Sequence, residues 1–194
     1  MIVARKIAGQ RVYLSPLDIS DIDIYAKWLN DVETYIYLDA SVQVINLETE
    51  RHFLNNAKEN GDQYFAIRLI ADNSMIGSCG LIKIDHINRK AELSRVFIGE
   101  TAYVNKGFGS EAILLLLDYG FNILNLNNIS VLCCAYNRRA LKSYAKCGFK
   151  TAGCFRQAKI IKGNKYDDII LDILAEEFSG SPYKSKLDEI LHTY

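Results

Sequence analysis

The chain has 194 residues, large enough for one ordinary domain with a real core. Apolar residues make up 49% and aromatics 11%, a composition for packing rather than disorder. Basic and acidic residues both number 23, and that balance argues against broad electrostatic binding of nucleic acid.

The amino terminus, M-I-V-A-R-K-I-A-G-Q, has no long apolar signal core. The most apolar run, Ala112 to Leu124, is broken by Asp118 and Asn122 and is too short to cross a membrane. No membrane span is expected. Cys79, Cys133, Cys134, Cys147 and Cys154 are odd in number and lack C-x-x-C spacing. They read as buried free thiols rather than zinc ligands or disulfides, and a cytoplasmic protein follows. The three histidines are scattered without companions, so no metal is expected.

In chain order, Arg11 to Leu14 reads as a strand ended by Ser15-Pro16. Ser20 and Asp23 then open a helix that runs to about Asn30, with Ile22, Tyr25, Ala26 and Leu29 as its apolar stripe and Trp28 beside it. Asp31 to Ile45 is irregular. Asn46 caps a second helix that ends at Gly61. Tyr64 to Ala71 and Met75 to Ile84 form a hairpin across Asp72-Asn73-Ser74, and a turn leads into the strand Ala91 to Ile98. A buried helix spans Ser110 to Ile123, and Ile129 to Ala135 has the character of a central strand. Asn137 caps a helix closed by Lys146 and Gly148. Phe149 to Ile161 and Lys165 to Ala175 make a last hairpin. A Ser-Gly-Ser-Pro linker leads to Leu187, Ile190, Leu191 and Tyr194, spaced as a short amphipathic helix. One α/β domain over 1–178 with a mixed sheet is expected, followed by a 179–194 linker and tail.

Val96 to Ala112 reads V-F-I-G-E-T-A-Y-V-N-K-G-F-G-S-E-A: a strand end, a glycine-bearing loop and a helix start. That construction aims backbone N–H groups and a positive helix end at a bound anion. Gly107 and Gly109 are expected to supply positive φ and room for close approach. A phosphate-bearing cofactor suits the loop, although a plain turn into a helix can look the same.

Three segments together resemble the GNAT N-acetyltransferase superfamily. The loop Y-V-N-K-G-F-G-S-E-A resembles its acetyl-CoA pyrophosphate motif, and Asn137 to Lys150, N-R-R-A-L-K-S-Y-A-K-C-G-F-K, resembles its N-x-x-A-x-x-x-Y-x-K-x-G-F helix. The opening R-V-Y-L-S-P-L-D-I-S-D with W-L-N-D, and the closing G-N-K-Y-D-D-I-I-L-D-I-L, are similar to the RimJ/RimL-like branch. The resemblance covers residues 10–178 in the correct order. It implies a single GNAT-like domain: a mixed, mostly antiparallel sheet with splayed central strands flanked by helices. Two departures stand out. Val104 occupies the place of a usual Gln or Arg, and Asn105 stands where glycine is frequent, Asn being the next most tolerant of positive φ. Both remove side-chain help to the phosphates and leave the main-chain donors.

The resemblance implies acetyl-CoA as co-substrate and an acyltransferase that passes acetyl to an amine. Gly107, Phe108, Gly109 and Ser110 would hold the pyrophosphate, with Val104, Asn105 and Lys106 completing the loop. Val96, Phe97 and Ile98 would pair with the pantetheine amides if their strand splays from Ile129 to Ala135. Asn137 would bond the pantetheine arm and Tyr144 would protonate the leaving thiolate. The two lie seven residues apart, on nearly one helical face. N-capping and core packing are the competing accounts. Glu92 resembles a carboxylate proposed as base; a solvated cross-strand partner and a water route are the alternatives. Arg138, Arg139 and Lys142 read mostly as a solvated basic face near the outer phosphate.

For the acceptor, Asp31, Glu33, Asp39, Glu48 and Glu50 cluster early in the chain and would attract a cationic amine. His86 to Leu93 also looks like the matching part of spermidine acetyltransferases. A small cationic amine, a protein N-terminus and an amino sugar all stay open as acceptors. No nucleic-acid or membrane partner is expected, and a homodimer is left open. The contrasting reading is a non-catalytic acetyl-CoA sensor or interaction module. A nucleotide-binding loop lacks its G-K-[ST] here.

Overall fold

The computed structural model describes residues 4–38 and 44–180. Within them lies one eight-stranded sheet, built from β1 (Ile7–Ala8), β2 (Val12–Pro16), β3 (Gln63–Leu69), β4 (Met75–Asp85), β5 (Lys90–Ile98), β6 (Asn128–Cys134), β7 (Lys150–Ile161) and β8 (Asn164–Leu174). The strand order is β1-β2-β3-β4-β5-β6-β8-β7. Every neighbouring pair is antiparallel except β5 with β6, which run parallel. The helices are α1 (Ile22–Leu29), α2 (Val32–Tyr35), α3 (Leu47–Glu59), α4 (Phe108–Asp118) and α5 (Arg138–Lys146). The expected mixed, mostly antiparallel sheet is the observed one.

Alternation along the strands divides the core in two. Val12, Leu14, Phe65, Ile67, Leu93, Val131 and Leu171 face α4, whose Ile113, Leu116 and Leu117 complete the larger core. On the other face α1 buries Tyr25, Ala26, Trp28 and Leu29 against Ala66 and Met75. The apolar stripe read from the sequence is therefore the buried face of α1. Trp28 packs so closely on Gly99 that a Cβ there would meet Trp28 Cδ2 at 2.1 Å, which seats α1 over the end of β5.

Local signals hold with small shifts. Asn46 accepts from Thr49 N at 2.9 Å and caps α3 as expected. The first helix is capped earlier than expected. Asp18, not Ser20, forms the capping box, with Asp21, around a 3₁₀ turn at Ile19–Asp21. Strand β1 and helix α2 were not anticipated, because two and four residues are too few to establish a period. The expected tail helix around Leu187 to Tyr194 lies outside the described residues.

Candidate active site

The site opens where the parallel pair ends. Strands β5 and β6 are in register from Lys90–Asn128 to Leu93–Val131 and then part. Beyond that point β5 continues beside β4 as far as Ile98 opposite Gly77, while β6 continues beside β8 as far as Cys134 opposite Asp168. From Ser94 onward one edge of β5 therefore has no strand partner among the described residues. Its main-chain polar groups are free for an extended ligand. The gap opens into a cleft of about 1090 Å³. That is slightly above the ~300–1,000 Å³ of small-molecule sites, room for a long cofactor and an acceptor.

A β-bulge helps turn β5 away. Between Ser94 and Phe97 the strand carries one residue more than β4, and Arg95 takes φ 48°. Its side chain holds this conformation: Nη1 donates to Glu50 Oε2 at 3.0 Å and to Tyr25 OH at 3.2 Å, and the guanidinium lies 3.5 Å from the Phe53 ring centroid. Burial opposes the Arg95 charge, but Tyr25 and Glu50 outweigh it and raise its pKa. The role of Arg95 was not foreseen; a basic residue just before the apolar run Val96-Phe97-Ile98 was the available signal.

The loop into α4 has the anticipated form. Asn105 takes φ 62° and Gly107 φ 84°, and α4 starts at Phe108 with no side-chain cap on its first N–H groups. Uncapped amides at the mouth of an eleven-residue helix suit an anion. Gly109 departs from expectation. It lies inside the helix without positive φ, and a Cβ there would touch only Ile98 Cγ1, at 3.7 Å.

Arg11, on the turn before β2, braces this loop. Its Nη1 donates to the Lys106 carbonyl at 3.0 Å, and its guanidinium lies 4.4 Å from the Phe108 ring centroid. Buried Glu111 in turn accepts from the Gln10 and Arg11 amides and from Arg11 Nε, at 2.8 to 2.9 Å. Sequence reading saw neither tie, since a hundred residues separate the partners.

Helix α5 brings Asn137 and Tyr144 to the cleft. Asn137 Oδ1 accepts from Ala140 N at 3.1 Å, so the residue caps α5 and its amide NH₂ is left to donate. Ser110 and Ser143 share a hydrogen bond of 2.8 Å that locks the head of α4 to α5. Tyr144 is buried against Phe149, and its hydroxyl has no hydrogen-bond partner among the described residues. Burial, followed by the nearby thiols of Cys133 and Cys147, pushes its pKa well above the usual phenol value.

Of the other expected residues, Val96, Phe97, Ile98, Val104, Asn105, Gly107, Phe108, Gly109, Ser110 and Glu92 all line the cleft. Lys106 does not; its side chain is exposed beside the loop. Glu92 is paired with Lys83 Nζ at 2.8 Å. Arg138, Arg139 and Lys142 form an exposed basic rim to the cleft, with Arg139 over the Tyr37 ring. Asp31 and Glu33 line the cleft, whereas Glu50 is committed to Arg95 and Glu48 does not line it. Asp39 lies outside the described residues. Further cleft residues escaped sequence reading, among them Tyr136 and Asp168. Either residue of the Asp167-Asp168 pair could have faced the cleft; the pairing of β8 with β6 selects the second.

The described residues contain no helix long and apolar enough to cross a membrane and no group of three or more metal-ligating side chains.

A gap between diverging strands, an anion-ready helix head and a buried phenol in one cleft suit an acyl-CoA-dependent transferase. The acetyltransferase (GNAT) domain family matches residues 11–150, and the chain belongs to that family. It is an acetyl-CoA-dependent N-acetyltransferase. The uncharacterized N-acetyltransferase p20 of Bacillus licheniformis is 28% identical over 174 residues, covering 88% of this chain and 97% of that protein. A spermidine N(1)-acetyltransferase of Vibrio cholerae is 32% identical over 122 residues, 63% of this chain and 68% of that protein. The crystal structure of spermidine N-acetyltransferase from Vibrio cholerae with CoA and spermine has a TM-score of 0.78 and 26% identity, covering 86% of this chain and 97% of that one.

Proposed function

We propose that this enzyme moves acetyl from acetyl-CoA directly to a primary amine of a small polycation such as spermidine. The observation that carries the reading is the parting of β5 and β6, with an unpartnered phenol at the gap and carboxylates along the cleft. In this scheme the amides of Phe108, Gly109 and Ser110 receive the pyrophosphate. The free edge at Val96, Phe97 and Ile98 and the Asn137 NH₂ align the pantetheine arm. The acceptor nitrogen attacks the thioester carbonyl, its proton leaves to Glu92, the C–S bond breaks, and Tyr144 protonates the thiolate.

Direct transfer is favoured over an acetyl-cysteine intermediate. Burial pushes the Cys133 thiol up to about 12 and the Cys147 thiol to about 11, which leaves both protonated and poor nucleophiles. Names of relatives point the same way on substrate, since spermidine acetyltransferases are among them. Asp31 and Glu33 at the cleft supply negative charge for a polycation.

The test is a panel of acceptors with acetyl-CoA: spermidine, spermine, an amino sugar and a peptide with a free N-terminus, read as release of free CoA thiol. Spermidine or spermine should turn over fastest. Turnover of the peptide alone would reject the polycation, and silence with every amine would reject transfer.

A further inference from the structure

Asp168 has no task in the scheme above. It is 5% exposed, and its Oδ1 has no hydrogen-bond partner. It nevertheless lines the cleft. Among the described residues the Cys134 thiol is its one side-chain hydrogen-bond neighbour, a weak donor. A buried carboxylate oxygen without a partner is costly, and folds keep such atoms where a ligand supplies the missing partner.

Its place is fixed by register. Asp168 stands opposite Cys134 on β6 and Phe155 on β7. Opposed residues share a sheet face, so Ile169 and Leu171 point the other way, into the core beneath α4. Cys134 lies past Val131, the last β6 residue paired with β5. Asp168 therefore sits at the open end of the gap, on the face away from α4. Glu92 shares that face, because it opposes Ser130, which alternates with Leu132 and Cys134. The cofactor's phosphates belong to the α4 side, so this face is the one left to the acceptor.

The neighbours suit a cation. Beside Asp168 is Tyr136, whose ring packs 5.9 Å from Tyr37 and 5.0 Å from Tyr166, centroid to centroid. The Tyr136 hydroxyl donates to the Ile36 carbonyl, which pins the ring in place. Lys159 lines the same cleft from β7, a positive charge set against the attraction for a cation. Aromatic faces around a buried carboxylate attract an ammonium, and the same carboxylate repels an anion.

We infer that Asp168 receives an ammonium group of the polyamine acceptor and is a specificity-determining residue of this site. The inference rests on the acetyl-transfer reading above. The experiment is a thermal-shift titration with CoA and then spermidine, on the wild type and on Asp168→Asn, alongside steady-state kinetics. CoA should stabilise both proteins equally. Spermidine should add a second shift in the wild type that is lost in Asp168→Asn. KM for spermidine should rise about tenfold or more, with kcat within about threefold, the size expected for one lost charged hydrogen bond. Asp168→Glu should recover part of the affinity. The melting temperature of ligand-free Asp168→Asn should be unchanged or higher, whereas a purely structural carboxylate would lower it. Asp168→Ser is read the same way if the amide variant does not fold. An undiminished spermidine shift and KM in the variants overturns the inference. So does a wild type that responds to CoA but not to spermidine, with the transfer reading still standing. A wild type that CoA does not stabilise overturns the transfer reading itself.

Discussion

Tyr144 has two properties that bear on acid catalysis here, and both come from burial. Its hydroxyl lacks a hydrogen-bond partner among the described residues, and its pKa lies above the usual phenol value. The phenol thus stays protonated through neutral and mildly alkaline pH. A leaving thiolate of ordinary pKa, ~8.5, is a weaker base than the phenolate, so the transfer from Tyr144 is uphill and is completed when the phenolate takes back a proton from water or from the acetylated amine. The expected outcome for Tyr144→Phe is a fall in kcat of roughly 10² or more with acetyl-CoA affinity retained, measured by kinetics and cofactor titration. A raised acid pKa moves any falling limb it causes to higher pH. The wild type should therefore show no loss of kcat between about pH 7 and 10 that Tyr144→Phe abolishes. The identity and spacing of Asn137 and Tyr144 were legible in the sequence, because one helix fixes them. The role of Asp168 was not, because which face of β8 meets the cleft depends on strands far away.

The loop and the head of α4 form one unit with the turn before β2. Gly107 needs φ 84°, and an added Cβ would lie 3.4 Å from Arg11 Nη2. Gly107→Ala should strain the loop by about 1 kcal/mol or more, and Arg11→Ala should loosen it by removing the tie to the Lys106 carbonyl. Both should raise KM for acetyl-CoA several-fold and spare kcat at saturation, because neither side chain lies at the reacting atoms. An unchanged KM in both would show that this brace does not order the loop. The loop could be read beforehand because glycine, asparagine and a helix start are local signals. The brace could not, since Arg11 and Glu111 are strangers along the chain.

The two cores meet across the sheet, and the tie between Glu50 of α3 and Arg95 of β5 joins the acceptor-side helices to the diverging strand. The Glu50 side chain is 2% exposed and that of Arg95 13%. Glu50→Ala would leave a buried guanidinium short of its counter-charge, a loss of roughly 3–5 kcal/mol and so roughly 10 °C in melting temperature. Loss of activity at temperatures where the variant is still folded is also expected, because the bulge at Arg95 helps open the gap. Calorimetry and an assay run together would separate the two effects. By itself the sequence determined the strands and longer helices, the capping of α3 and α5, the anion-ready loop and the family's order of motifs, all written in neighbouring residues and short periods. The tertiary structure decided where β5 leaves β6, which carboxylates face the cleft, and that Glu50 is consumed by Arg95. Those outcomes depend on register and on contacts between residues tens to a hundred positions apart, where a single-residue shift exchanges the faces of a strand.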